Sequence, residues 1–200
     1  MKLIPQPQQI APLPGQYRIT YRDRITLDAG CSPAAYTYAK LLAGELEKST
    51  GLSLLIDRRT ARFHPGIHLR QSPELEQSLG KESYEIGITP QGVEITGSGD
   101  AGLLHGVQTL RQIVRQEGPC LPCLSLKDYP ALPVRGLFYD VTRGRIPTTA
   151  FLKELADRCS YYKINQLHLY MEHTFLFDGF SEAWRDHPPL TPADILELDA

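Results

Sequence analysis

Residues Tyr84–Ile113 read YEIGITPQGVEITGSGDAGLLHGVQTLRQI. In the first half Tyr84, Ile86 and Ile88, then Val93 and Ile95, fall on every second position. The link Thr89-Pro90-Gln91-Gly92 supplies turn residues, so the spacing predicts a β-hairpin over Tyr84–Ile88 and Val93–Thr96. The second half changes period. Leu103, Val107, Leu110 and Val114 recur three and four positions apart, which predicts a helix capped by Asp100 and running to about Arg115, apolar on one stripe and polar opposite. A hairpin feeding straight into an amphipathic helix buries both apolar faces in one layer, as in an α+β sheet with helices on one side.

Reading outward toward the N-terminus, Ala34–Ser49 predicts a second helix. Ala35, Tyr38, Leu41, Leu42 and Leu46 form its stripe, Pro33 stands at its start and Gly51 just past its end. YRITYRDRITL (Tyr17–Leu27) predicts exposed strands, and Leu52–Ile56 and Ile67–Leu69 predict short buried ones. Residues 1–118 thus read β-α-β-β-β-α, an α+β domain with a mixed or antiparallel sheet. Residues 119–133 are rich in proline and read as a linker with one strand around Leu124–Leu126. Beyond them come two near-continuous apolar runs, VRGLFYDV (Val134–Val141) and NQLHLYM (Asn165–Met171), separated by a helix that Thr148 caps and that runs through Tyr162. Strands buried on both faces alternating with helices indicate parallel βαβ construction over residues 134–200. Thr191-Pro192-Ala193-Asp194 opens a further helix, with Thr as N-cap, Pro at the first position and an acid in the first turn. A closed (β/α)8 barrel needs about 250 residues, so a barrel starting here is a truncated one.

The 200 residues carry 21 Lys+Arg against 23 Asp+Glu, a net charge of -2, which leaves no electrostatic footprint for nucleic acid or an anionic membrane surface. A small neutral or weakly charged partner fits better. Met1–Ile10 lacks the apolar core of a secretory signal and no run approaches a membrane span, so a cytoplasmic chain is expected. Cys120-Leu121-Pro122-Cys123 has the C-x-x-C spacing of redox or zinc sites. No second pair accompanies it and it does not open a helix, so no metal or redox centre is expected. GSGDAG (Gly97–Gly102) lacks the lysine and spacing of a phosphate loop, and no cofactor is implied.

Four stretches in series carry a resemblance: LIPQPQ (Leu3–Gln8), Tyr84–Ile113, KDYP (Lys127–Pro130) and RGLFYDVTR (Arg135–Arg143). In order and spacing they are similar to family 20 glycoside hydrolases, the β-N-acetylhexosaminidases. The Gly106-Val107-Gln108-Thr109-Leu110 helix is also found in bacterial O-GlcNAcase-like enzymes. Those continue with Arg-Gly and then Glu-Gly-Phe-Tyr-Gly, whereas Leu137–Arg143 follows here and favours family 20. The resemblance implies an accessory α+β domain followed by the first two βα units of a catalytic TIM barrel. It also implies a carbohydrate substrate bearing terminal β-linked N-acetylhexosamine and a retaining route in which the substrate's acetamido oxygen is the nucleophile. In the family an adjacent Asp-Glu pair at the fourth barrel strand orients the acetamido group and protonates the leaving oxygen. No Asp-Glu dipeptide occurs in this chain, so the 200 residues alone are expected to be inactive.

By resemblance Arg135 matches an arginine that hydrogen-bonds sugar hydroxyls. Its place at the start of a strand suits a structural ion pair equally. Glu172 and His173 follow the second strand, at the end where barrel sites are built, and read either as hydroxyl ligands or as a solvated loop. The family usually has His-x-His-Leu-Thr-Asp-Asp here, whereas this chain has His168-Leu169-Tyr170-Met171-Glu172-His173-Thr174. His168, inside an apolar run, reads as a hydrogen-bonded core residue. Asp140 and Arg143 are expected to shape the following loop, in which Gly144-Arg145-Ile146 replaces the family's His-Phe-Phe. Phe175, Phe177, Phe180 and Trp184 lie beyond the second strand and suit either sugar stacking or lid packing. A different class of function stays open, a non-catalytic module binding glycan or a partner chain. An incomplete barrel would leave strand edges bare and favour self-association.

Overall fold

The computed structural model describes residues 1–58, 65–184 and 188–199, which form two compact units, Met1–Ala131 and Leu132–Ala200. The first holds β1 (Gln9–Arg18), β2 (Arg24–Leu27), α1 (Ala34–Thr50), β3 (Leu55–Arg58), β4 (Gly66–Gln71), α2 (Pro73–Leu79), β5 (Tyr84–Thr89), β6 (Gly92–Gly97), α3 (Asp100–Glu117) and β7 (Cys120–Asp128). Its strands make one seven-stranded mixed sheet in the order β1-β7-β5-β6-β4-β2-β3. The half from β1 to β6 is antiparallel and the half from β6 to β3 parallel.

The hairpin forms as its alternation requires, with Ile86 opposite Ile95 and Thr89 opposite Gly92. Its apolar side chains join Ile67, Leu69, Leu124 and Leu126 in one core with Leu42 and Leu46 of α1 and Leu103, Val107 and Leu110 of α3. Close approach of α3 to the sheet depends on two glycines. A Cβ on Gly106 would meet Ile95 Cγ2 at 2.5 Å, and one on Gly102 would meet the Ser83 carbonyl oxygen at 2.2 Å. Helix α1 ends as expected, on Gly51 in the left-handed conformation with its N–H on the Glu47 carbonyl.

Several expectations need correction. The strand expected around Leu124–Leu126 is present but longer: β7 spans Cys120–Asp128 and pairs with both β1 and β5 inside the sheet. The prolines hid its first half, because Pro119 precedes the strand and Pro122 pairs with Gln16, next to the irregular stretch of β1 between Pro12 and Gln16. Tyr17–Leu27 is split by a turn, and Ile25 and Leu27 at its end are wholly buried. Strand β3 begins later than expected, at the sheet edge, with Leu55 65% exposed. Asp100 does not cap α3; Gly99 takes that position, and the Asp100 carboxylate accepts from Ser32 Oγ and from Gln71 Nε2 (2.7 Å). The polar side of α3 is buried too. Gln112 bonds both backbone groups of Ile4, and Thr109 meets Tyr84 OH, so polar partners replace solvent. The composition gave no sign of α2.

The second unit holds β8 (Gly136–Asp140), α4 (Thr149–Tyr161), β9 (Gln166–Tyr170), α5 (Ser181–Trp184) and α6 (Pro192–Asp199). Strands β8 and β9 run parallel in register, Gly136 against Gln166 through Asp140 against Tyr170, with α4 as the crossover. Thr148 Oγ1 accepts from Phe151 N (3.2 Å) and caps α4. Thr191 and Asp194 form a reciprocal capping pair at α6, Thr191 Oγ1 taking Asp194 N–H (3.2 Å) and Asp194 Oδ2 taking Thr191 N–H (2.8 Å). Tyr139 and Leu169 pack with Leu152 of α4, Val141 and Leu190. The opposite face is not buried as expected: Phe138 is 66% exposed, and His168 is exposed with Nε2 against Gln166 Oε1 (3.2 Å) rather than in a core. Among the described residues β8 and β9 pair only with each other, so they form a two-stranded βαβ unit and no closed barrel. No helix among them is long and apolar enough to cross a membrane.

Candidate functional site

The carboxyl ends of β8 and β9 bring together Asp140, Thr142, Arg143, Tyr170 and Glu172. Parallel pairing puts Asp140 beside Tyr170, and Glu172 follows two residues beyond the end of β9, where its side chain meets Tyr170 and Arg143. Asp140 closes the loop on itself. Its Oδ1 accepts the backbone N–H groups of Thr142 (2.8 Å) and Arg143 (3.1 Å), and its Oδ2 accepts Arg143 Nη1–H (2.9 Å). These bonds, that of Thr142 N–H first, hold the carboxyl below the usual aspartate range. Asp140 and Arg143 shape the loop, as expected from sequence.

Arg143 spans both strands. Its Nη2 donates to Glu172 Oε1 (3.2 Å) while its guanidinium carbon lies 5.0 Å from the centre of the Tyr170 ring. Tyr170 OH donates to the same Glu172 oxygen at 2.5 Å, and this bond is the main reason that the phenol is pushed above its ordinary value. The Glu172 backbone N–H donates to Thr142 Oγ1 (3.0 Å). Tyr170 and Thr142 were not singled out from sequence. The available signal was the alternation of Tyr170 with Glu172 across one strand end.

His173 turns to an adjoining cleft of about 730 Å³, lined also by Arg145, Thr148, Leu190 and Asp194. The cleft's acid is already engaged: Asp194 accepts from Thr149 Oγ1 (2.8 Å) and from Thr191 Oγ1 (2.6 Å), and the latter bond leads in holding its carboxyl below the usual range. Phe177 and Phe180 are exposed, and Phe175 bridges to Leu190.

Arg135 is not part of this cluster. It stands at the amino end of β8, a strand length of roughly 17 Å from Asp140. Its Nε donates to the Lys163 carbonyl (2.8 Å), its Nη1 to the Leu132 carbonyl (2.7 Å), and its backbone N–H to Asn165 Oδ1 (2.9 Å). These contacts brace the start of both strands. Among the described residues no group of three or more His, Cys, Asp or Glu is arranged to hold a metal ion. Cys120 and Cys123 lie in β7 as free thiols.

Residues 1–129 match the family description "Glycosyl hydrolase family 20, domain 2". The chain belongs to glycosyl hydrolase family 20. Among its relatives, the Beta-hexosaminidase of Akkermansia muciniphila is 39% identical over 99 residues, 47% of this chain and 20% of that protein. The GH20 β-N-acetylhexosaminidase of Streptomyces coelicolor A3(2) superimposes with a TM-score of 0.82 at 30% identity, covering 98% of this chain and 42% of that one. A variant of Streptomyces plicatus β-hexosaminidase in complex with its product GlcNAc gives a TM-score of 0.81 at 30% identity, with the same coverage. The chain thus spans about a fifth of the Akkermansia protein and 42% of each Streptomyces chain.

Proposed function

We propose that this chain is the N-terminal portion of a glycoside hydrolase that removes terminal β-linked N-acetylhexosamine from glycans. In this reading the α+β unit is the accessory domain, and the stretch from β8 to α6 is the first two βα units of a (β/α)8 catalytic barrel. The observation that carries it is the parallel β8-α4-β9 unit following a family 20 domain, with ionisable side chains gathered at the carboxyl ends of the strands, where barrel sites are built. The product sugar in the Streptomyces plicatus complex supports the substrate class.

The proposed chemistry is the substrate-assisted retaining route. The acetamido oxygen attacks the anomeric carbon as the glycosidic bond breaks. A carboxylic acid protonates the departing oxygen, and water then opens the cyclic intermediate on the face the leaving group left. A neighbouring carboxylate supports the positive charge that develops on the acetamido group. The chain holds no Asp-Glu dipeptide, so both groups would come from later in the parent protein. The part assigned to this chain is recognition, with Glu172 and His173 binding sugar hydroxyls beside the cleft. Arg135 acts from the opposite end of the strands, as their brace.

Chromogenic β-N-acetylglucosaminide, β-N-acetylgalactosaminide and the β-glucoside lacking the acetamido group, offered to the full-length gene product, test the reading. Hydrolysis of at least one acetamido sugar with the glucoside left intact is expected. Equal cleavage of the glucoside, or none of any substrate by folded protein, contradicts it. The 200-residue chain alone is expected to release no chromophore.

A further inference from the structure

We infer that Tyr170 and Arg143 are positioning residues that fix Glu172 in one orientation and leave its Oε2 as the acceptor for a single sugar hydroxyl. This rests on the glycosidase reading above. Glu172 Oε1 is taken up by two donors, Tyr170 OH at 2.5 Å and Arg143 Nη2 at 3.2 Å. A carboxylate offers about four acceptor sites, so two donors on one oxygen leave the other open. No other hydrogen bond reaches the Glu172 side chain from the described residues, and that side chain is 46% exposed.

The holders are themselves held. Arg143 is fixed by Asp140, which two backbone N–H groups fix in turn, and it lies over the Tyr170 ring. Tyr170 rests on Phe138, with ring centroids 5.7 Å apart. The Glu172 backbone is pinned at Thr142 Oγ1. An exposed ion pair alone contributes little to stability. Pre-ordering a long side chain instead removes an entropic cost from ligand binding, so the effect of this network belongs in recognition. The phenol, pushed up by its bond to Glu172, stays protonated and donating through neutral pH.

The test uses the full-length protein and a chromogenic N-acetylhexosaminide together with its 3-, 4- and 6-deoxy analogues. Glu172→Gln is expected to lower kcat/KM about tenfold on the intact sugar and hardly at all on one deoxy analogue, which names the hydroxyl. Tyr170→Phe, which keeps the ring contact with Phe138, is expected to show the same selectivity with a loss of about three- to tenfold, at unchanged melting temperature. Arg143→Lys is expected to fall between wild type and Tyr170→Phe. A Tyr170→Phe loss that is equal on all analogues, or absent while Glu172→Gln is selective, overturns the inference and leaves the glycosidase reading intact. A wild-type protein inactive on every sugar overturns both.

Discussion

Glu45 is an acid that composition alone would place on a helix surface, yet its side chain is 1% exposed between α1 and α3. Burial works to raise its pKa. The opposing hydrogen bonds from Arg115 and Ser49, with the charge of Arg111, outweigh burial and hold it below the ordinary glutamate range. Arg115 Nη2 approaches at 2.6 Å and Arg111 Nη2 at 3.4 Å. Because the folded pKa lies below the unfolded value of about 4.3, the stabilisation is present above that pH and is lost as pH falls through the folded value. Glu45→Gln should therefore cost about 1–3 kcal/mol at pH 7, and the gap to wild type should narrow as pH falls below about 4.3 in thermal melts. A gap that stays constant to pH 3 contradicts this assignment. Pattern reading placed α1 correctly but could not see Glu45, because its arginine partners lie 66 and 70 residues along the chain. The same holds for Tyr84, whose hydroxyl donates to buried Asp128 (2.7 Å) and meets Thr109. Tyr84→Phe should lower stability by about 1–2 kcal/mol in denaturant unfolding, since it leaves Asp128 short of a donor.

At the scale of elements, the hairpin and α1, α4 and α6 were legible because each declares its pattern or its ends locally, and α3 was legible from its period although its cap was not. What was missed follows from position in the fold. A strand between β1 and β5 reads shorter than it is when prolines stand before and within its first half, and a helix buried nearly all round reads as amphipathic when its inner polar groups have partners. Gly106 offers a check on how closely α3 lies to the sheet. Gly106→Ala raises intrinsic helix propensity, yet the added methyl would lie 2.5 Å from Ile95 Cγ2 and 3.2 Å from Tyr84 Cδ2. Overpacking should win, destabilising by about 1–3 kcal/mol in denaturant melts, whereas a gain in stability would mean a looser helix-sheet contact. Thr191→Ala should cost about 1 kcal/mol through loss of the capping pair at α6. The loop cluster around Glu172 was half legible: its place after a parallel strand marked it, but the bonds of Tyr170 and Arg143 to one carboxylate oxygen depend on loop geometry that spacing does not encode.

At the scale of the whole molecule, two strands with a bare face are a marginal sheet. Phe138 lies on that face, and the outer edges of β8 and β9 are unpaired among the described residues. The isolated 200-residue chain should therefore associate with rising concentration in sedimentation velocity, and Phe138→Ser should weaken that association. In the proposed parent, further barrel strands would cover the face, and that protein should not behave so.

Whether the proposed parent is a retaining hydrolase of β-N-acetylhexosaminides is decided by the anomer released first. Proton NMR of the full-length protein acting on an aryl β-N-acetylhexosaminide should show the β-anomer of the free sugar before mutarotation. Initial release of the α-anomer, or no sugar release by protein that melts cooperatively, would contradict the claim.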